Sequence, residues 1–216
     1  MEREQRVMKN YLAVDTSGNH LCVIACKDGK TSSVFLPDCA MKHSVSVMPA
    51  IDKALKDADM SLAECDFFAA VVGAGSFTGI RIGISVMKGF CLAYQKPALP
   101  VTSFDVMAYT KKDGKVLCLV DALHDCYYAC GYENGKVIYP PAYLTEEQVL
   151  ALENEGYRLL GVSDMPIAQK AQLETVDAVA GLDEAVCALS QRSKFGALTA
   201  LYVRKSSAEL NLEEKK

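Results

Sequence analysis

The chain has 216 residues, half of them hydrophobic, and a formal net charge of −4. That length holds one large domain or two small lobes with a sizeable core, and the acidic balance argues against a general nucleic-acid surface, although a local basic patch escapes such a count. No apolar run approaches the ~20 residues of a membrane span, and the polar start MEREQRVMKN lacks the apolar stretch of a secretory signal, so a cytoplasmic protein without a membrane partner is expected.

Tyr11 to Asp15 reads as a first strand, followed by the turn tetrad Thr16-Ser17-Gly18-Asn19. Leu21 to Cys26 is a second strand, and Asp28-Gly29 turns it into a third from Lys30 to Phe35. A helix is expected from about Ser44 to Ala58, with Val47, Met48, Ile51, Ala54, Leu55 and Ala58 on one face. Ser44 or Ser46 would cap it, since Pro49 is tolerated only near a helix start.

The organising stretch is Phe67 to Gln95: a buried strand to Val72, a glycine-rich turn, and a long helix capped by Ser76. Arg81, Ser85, Lys88 and Gln95 gather in one polar sector, and the remaining apolar sector covers roughly 200° at about 100° per residue. A surface helix ordinarily shows a stripe of little more than ~100°. One side therefore faces a sheet, and the other needs a second partner, from this chain or another. Gly79 and Gly83, one turn apart, would let a second helix approach closely. Substituting Gly83→Leu is then expected to weaken such a pairing with little effect on the fold.

Pro97 to Val101 is a further strand and Ser103 to Tyr109 a helical turn. The polar stretch KKDGK (111–115) divides the chain into 1–110 and 111–216. Beyond it lie strands Val116–Asp121 and Cys126–Tyr132, an Asn134-Gly135 turn into Val137–Tyr139, and a break at Pro140-Pro141. Thr145 caps a helix to about Glu155. Arg158–Val162 and Asp177–Ala180 read as short strands, Leu182–Gln191 as a helix, Leu201–Arg204 as extended, and the end as a polar tail. No sequence repeat is visible. A three-stranded meander followed by alternating elements predicts an α/β fold with mixed sheets covered by helices, as in the ribonuclease-H-like lobe of the actin, Hsp70 and sugar-kinase superfamily.

Nine cysteines occur without a CxxC pair, which reads as small buried hydrophobes in a reducing compartment. His124 and Asp125 beside Cys126 and Cys130 lack a second ligand pair for zinc. Asp15 with the DTSG turn permits a magnesium–nucleotide hypothesis, but Asp121-Ala122-Leu123-His124 offers no glycine for a second phosphate loop. The Gly73–Gly79 loop could cradle an anion at a helix N-terminus, although it is neither GxGxxG nor a Walker loop. His43, at the head of the first helix, reads as a solvated or capping residue.

GAGSFTGIRIGISVMKG closely resembles the signature of the TsaB (YeaZ) family. LAVDTSGNHLCVIACKDGK, HSVSVMPAIDKALKDADMSLAECDFFAAV, VLCLVDALHDCYYACGYE and ALYVRKS resemble other segments of that family in the same order; Ala74 and Ala200 depart from its usual prolines. The resemblance implies a two-lobed actin-like ATPase fold. It also implies a non-catalytic subunit that binds and supports a TsaD-type catalytic paralogue, alongside a TsaE-type ATPase, in making N6-threonylcarbamoyladenosine on tRNA. The chain would be a homodimer when isolated and would meet tRNA only through the complex. It would need no cofactor of its own, with ATP and a metal on partner subunits. The catalytic paralogue's V-N-H-x-x-x-H metal motif corresponds here to Val101–Met107, with Ser103 and Met107 in place of the histidines, a pair unsuited to the metal. The expected partner surface comprises Val47, Met48, Ile51 and Leu55 on the first helix, with Gly75, Ser76, Phe77, Thr78, Gly79, Ile80, Gly83, Met87 and Phe90 along the second. The competing readings are an actin-like ATPase or phosphotransferase using Asp15, a glycoprotease-like peptidase, and a helix-pairing module with another partner.

Overall fold

The computed structural model describes residues 9–111 and 113–204; the polar leader and the C-terminal tail expected from the sequence lie outside them. In chain order the first half contains β1 (Tyr11–Asp15), β2 (Leu21–Lys27), β3 (Lys30–Leu36), α1 (His43–Asp57), β4 (Phe67–Val71), α2 (Phe77–Tyr94), β5 (Ala98–Val101) and α3 (Ser103–Ala108). The second contains β6 (Lys115–Asp121), β7 (Cys126–Glu133), β8 (Lys136–Thr145), α4 (Glu146–Asn154), β9 (Arg158–Gly161), β10 (Leu173–Thr175) and α5 (Ala178–Gln191).

The strands form two five-stranded sheets, ordered β3-β2-β1-β4-β5 and β10-β9-β6-β7-β8. Each is an antiparallel meander extended by two parallel strands. The second sheet repeats the order of the first, five strands later, although the sequence shows no repeat. This is the two-lobed, helix-covered arrangement of the actin-like ATPase fold. Topology repeats where residues do not because each half need only satisfy the same pattern of pairing and burial.

The first sheet is covered on both faces. Leu12, Val14, Leu21 and Val23 pack beneath α1 and α2, while Tyr11, Ala13, Cys22 and Ile24 pack against Leu182, Ala185 and Val186 of α5. A strand buried on both faces carries a continuous apolar run, as YLAV does. The second face of the first sheet is thus closed by a helix from the far end of the chain. Both hairpins expected from Asp28-Gly29 and Asn134-Gly135 are present, with all four residues at positive φ.

Several expectations change. Helix α1 begins at His43, is preceded by Lys42, and has no side-chain cap from Ser44 or Ser46. Pro49 is its seventh residue rather than a first-turn residue; both it and Val45, whose carbonyl loses its usual donor, are exposed. Pro140-Pro141 does not end β8, because β8 is the edge of its sheet and proline's missing N–H is tolerated there. Asp177–Ala180 is not a strand: Asp177 is the N-cap of α5 and its carboxylate accepts from the Ala180 N–H at 2.8 Å. Leu201–Arg204 joins no ladder, although the Leu201 N–H donates to the Val72 carbonyl at 2.7 Å. His43 is buried rather than solvated, with Nε2 3.0 Å from the His20 carbonyl oxygen.

Candidate functional site

Two surfaces meet at α2, one facing inward onto the β1–β2 turn and one facing outward beside α1.

The inward one is built from close backbone approaches. A Cβ on Gly75 would lie 2.2 Å from the Ser17 carbonyl oxygen, one on Gly79 2.0 Å from that of Thr16, and one on Gly83 2.6 Å from Thr16 Oγ1. Only glycine permits such contacts. The Ser76 N–H donates to the Ser17 carbonyl and the Thr16 hydroxyl to the Gly79 carbonyl, each at 2.7 Å. Ser76 Oγ caps α2 as expected, accepting from the Gly79 N–H at 3.2 Å. The glycine loop is therefore seated on its own chain, and the anion cradle read from the sequence is spent on that contact.

Asp15 lies at the centre of this turn, buried. Its Oδ1 accepts from the Ser17 N–H and hydroxyl at 2.7 Å, and its Oδ2 lies 3.3 Å from His20 Nε2. Burial alone would raise the carboxyl's pKa; His20 and Ser17 outweigh it and hold the pKa below the usual range. Burial pulls the other way on His20, and Asp15 outweighs it, keeping the imidazole's pKa above its ordinary value. Ser103 Oγ donates to the Ala74 carbonyl at 2.6 Å and reaches Ser17 Oγ at 3.1 Å. The cavity bounded by Asp15, His20, Ala74 and Ser103 is about 30 Å³, room for about one water rather than a nucleotide. In the β6–β7 turn Leu123, His124 and Asp125 all take positive φ without a glycine among them. A magnesium–nucleotide does not fit the closed turn: the cavity beside Asp15 is too small, and the carboxylate already takes three contacts from Ser17 and His20. Ser103 and Met107, which the family resemblance sets against a metal motif's histidines, are buried here, Met107 among apolar side chains.

Of the partner surface expected from the sequence, Val47, Ile51, Leu55, Gly79, Ile80, Gly83 and Met87 lie in this chain's own core beneath the two helices. The close approach anticipated at Gly79 and Gly83 is made by Thr16 and Val14 of the same chain. Gly75 and Phe90 are half-buried, while Met48, Ser76, Phe77 and Thr78 are exposed. The outward side of the helix pair instead presents Val45, 70% exposed, and Leu92, 81% exposed, with Met48 and Gly89, whose added Cβ would meet nothing within 4 Å. Val45, Gly89 and Leu92 were missed by the sequence reading. They are found by taking, on each helix, the helical angle opposite its buried residues, once that side is known to face inward.

A model of the family TsaD, tRNA N6-adenosine threonylcarbamoyltransferase, matches residues 33–208. The chain is 32% identical over 131 residues to the tRNA threonylcarbamoyladenosine biosynthesis protein TsaB of Escherichia coli (strain K12), covering 57% of this chain and 56% of that one. It is 29% identical over 128 residues to the TsaB of Bacillus subtilis (strain 168), covering 57% and 56%. In these alignments the chain spans about half the length of the curated relatives it matches. Among solved structures, YeaZ from Pseudomonas aeruginosa superposes with a TM-score of 0.77 at 23% identity, covering 90% of this chain and 100% of that one, which is a likeness of fold.

Proposed function

The chain belongs to the TsaD (tRNA N6-adenosine threonylcarbamoyltransferase) family, and from that premise we propose that it is a non-catalytic, TsaB-type scaffold subunit in the synthesis of N6-threonylcarbamoyladenosine on tRNA. The carrying observation is chemical. The positions where the catalytic paralogue binds its metal hold Ser103 and Met107, both committed to internal packing and hydrogen bonding. The chemistry then belongs to a TsaD-type partner, with ATP and metal on partner subunits and a TsaE-type ATPase joining the assembly in the cytoplasm.

The partner docks on the outward face of α1 and α2, where Val45, Met48, Gly89 and Leu92 lie open. Gly89 lets another helix approach closely without disturbing this chain's core. A second copy can use the same face, so the isolated chain forms a closed two-fold dimer. The split into lobes 1–110 and 111–216 belongs to this reading, with α5 returning to close the first lobe.

Co-purification with the organism's own TsaD-type protein, followed by sizing, is the test. A heterodimer that replaces the homodimer is expected. The double substitution Val45→Glu/Leu92→Glu should abolish it at an unchanged melting temperature. A heterodimer that survives this double substitution removes the proposed face.

A further inference from the structure

Along one flank of α2, aromatic rings and guanidinium groups form a row that runs from the first sheet's helix to the second sheet. The Arg81 guanidinium carbon lies 3.8 Å from the Phe77 ring centroid, and its Nε–H donates to the Tyr202 hydroxyl at 2.9 Å. Tyr202 stacks on Phe77, with centroids 4.6 Å apart and planes 23° apart. Burial alternates beyond Leu201: Leu201 and Val203 pack inward, while Tyr202 and Arg204 face outward on one side. Arg204 lies 4.7 Å from the Tyr143 ring centroid of β8 and donates to its hydroxyl at 3.0 Å. Tyr143 in turn leans on Tyr128 of β7, centroids 5.9 Å apart. Lys88, exposed, is two turns beyond Arg81 on the same flank.

Among the described residues neither Arg81 nor Arg204 forms an ion pair with a carboxylate. Arg81 commits one N–H to a tyrosine hydroxyl through Nε, and Arg204 one through Nη1, which leaves the rest of each five-donor fork for an anion. Phe77 is 38% and Tyr202 41% exposed, so each ring keeps an open part beside its partner in the stack, while Tyr143 is half-buried. Holding the C-terminal strap in place requires neither feature, because Leu198 and Leu201 already anchor it in the two cores. An acidic peptide would use the guanidinium groups and leave the rings unused. Exposed rings flanked by cations suit bases flanked by phosphates, the pattern of an unpaired nucleic-acid strand.

We propose that this row is a docking strip for an unpaired RNA strand, with bases packing on the open parts of Phe77 and Tyr202 and phosphates held by Arg81 and Arg204. The choice of RNA rests on the tRNA-modification reading above; the stacking and charge pattern do not. The strip gives this chain an RNA contact of its own, locally basic on an acidic protein.

The test is fluorescence anisotropy of a labelled 12-nucleotide oligouridylate with the full-length chain, across a salt series. Binding should weaken linearly in log–log form with salt. Arg81→Gln/Arg204→Gln should lower affinity at least tenfold and reduce the salt slope by about 1.4, at roughly 0.7 per single-strand phosphate contact. Arg81→Lys/Arg204→Lys, a milder pair that keeps both charges, should retain most of the slope while losing affinity. Melting curves check that each variant is folded. Absence of wild-type binding at low salt, an unchanged affinity in the glutamine pair, equal binding of duplex RNA, or equal binding of polyglutamate would each overturn the strip. Restoration of the tRNA modification in cells lacking a TsaB-type subunit separates the two readings. A chain that restores it without binding the oligonucleotide refutes the strip alone. A chain that binds the oligonucleotide but restores nothing refutes the scaffold reading and leaves the strip.

Discussion

Gly83 and Gly89 stand on the same helix, and the difference between them explains how α2 works. A methyl group at Gly83 would meet Thr16 Oγ1 at 2.6 Å and Val14 Cγ1 at 3.2 Å, whereas at Gly89 it would meet nothing within 4 Å. The first glycine is a packing requirement of this chain. The second keeps an outer surface smooth, at the ordinary conformational cost of glycine in a helix. One residue type thus has opposite meanings on the two sides, and only the neighbouring atoms tell them apart.

Stripping the cover from a buried face is the harshest way to break this contrast. A fragment of residues 1–110 lacks α5, and so exposes Tyr11, Ala13, Phe67 and Ala69 on the face that Leu182 and Val186 cover. It is expected to show no cooperative thermal transition by circular dichroism. A fragment that melts cooperatively would show that α1 and α2 alone hold the first sheet. Next in size is Gly83→Leu. Overpacking costs typically about 1–3 kcal/mol and sometimes more, which for a chain of this length lowers Tm by roughly 2–12 °C. This reverses the expectation drawn from helical spacing alone, that the substitution would spare the fold and injure only an assembly.

The mirror experiment is Gly89→Ala, which should stabilise the chain by about 0.5–1 kcal/mol through helix propensity while weakening its association in sizing experiments. A loss of stability would mean that the outer side is covered.

The smallest effect is on the inner turn and depends on pH. The Asp15 carboxyl has its pKa held below its ordinary 3.8, so its contribution is present above that pH and lost as pH falls through the depressed folded value. The His20 imidazole has its pKa held above its ordinary 6.5, so its contribution is complete below 6.5 and fades as pH rises through the raised folded value. Melting temperature should therefore decline from pH 6 to 8 in the parent chain, and His20→Gln should flatten that decline. Equal slopes in both proteins would show that the pair is not coupled to folding.

Much of the fold was legible because its signals are local. Asp28-Gly29 and Asn134-Gly135 turn their hairpins through their own backbone preferences. Thr145 caps α4 with Gln148 three residues on, and Ser76 caps α2, through contacts made within one turn. The failures are equally specific. Asp177 looked like part of a strand because a short apolar run does not reveal its period. Pro140-Pro141 looked like a stop because the edge position of β8 is invisible until the sheet is assembled.

The candidate site followed the same division. The sequence alone determined that α2 is too apolar for one contact and that glycine recurs on it at helical spacing; the family resemblance implied that Ser103 and Met107 replace a metal site's imidazoles. Helical periodicity and ligand chemistry are properties of short segments, so they survive without coordinates. Only the tertiary structure decided which side of α2 is inside, that Thr16 rather than a partner helix fills the space at Gly79 and Gly83, and that Arg204 reaches Tyr143 across 61 residues of sequence. A helical wheel fixes angles relative to one another but has no origin. The origin is set when the sheet and the β1–β2 turn come together beneath the helix.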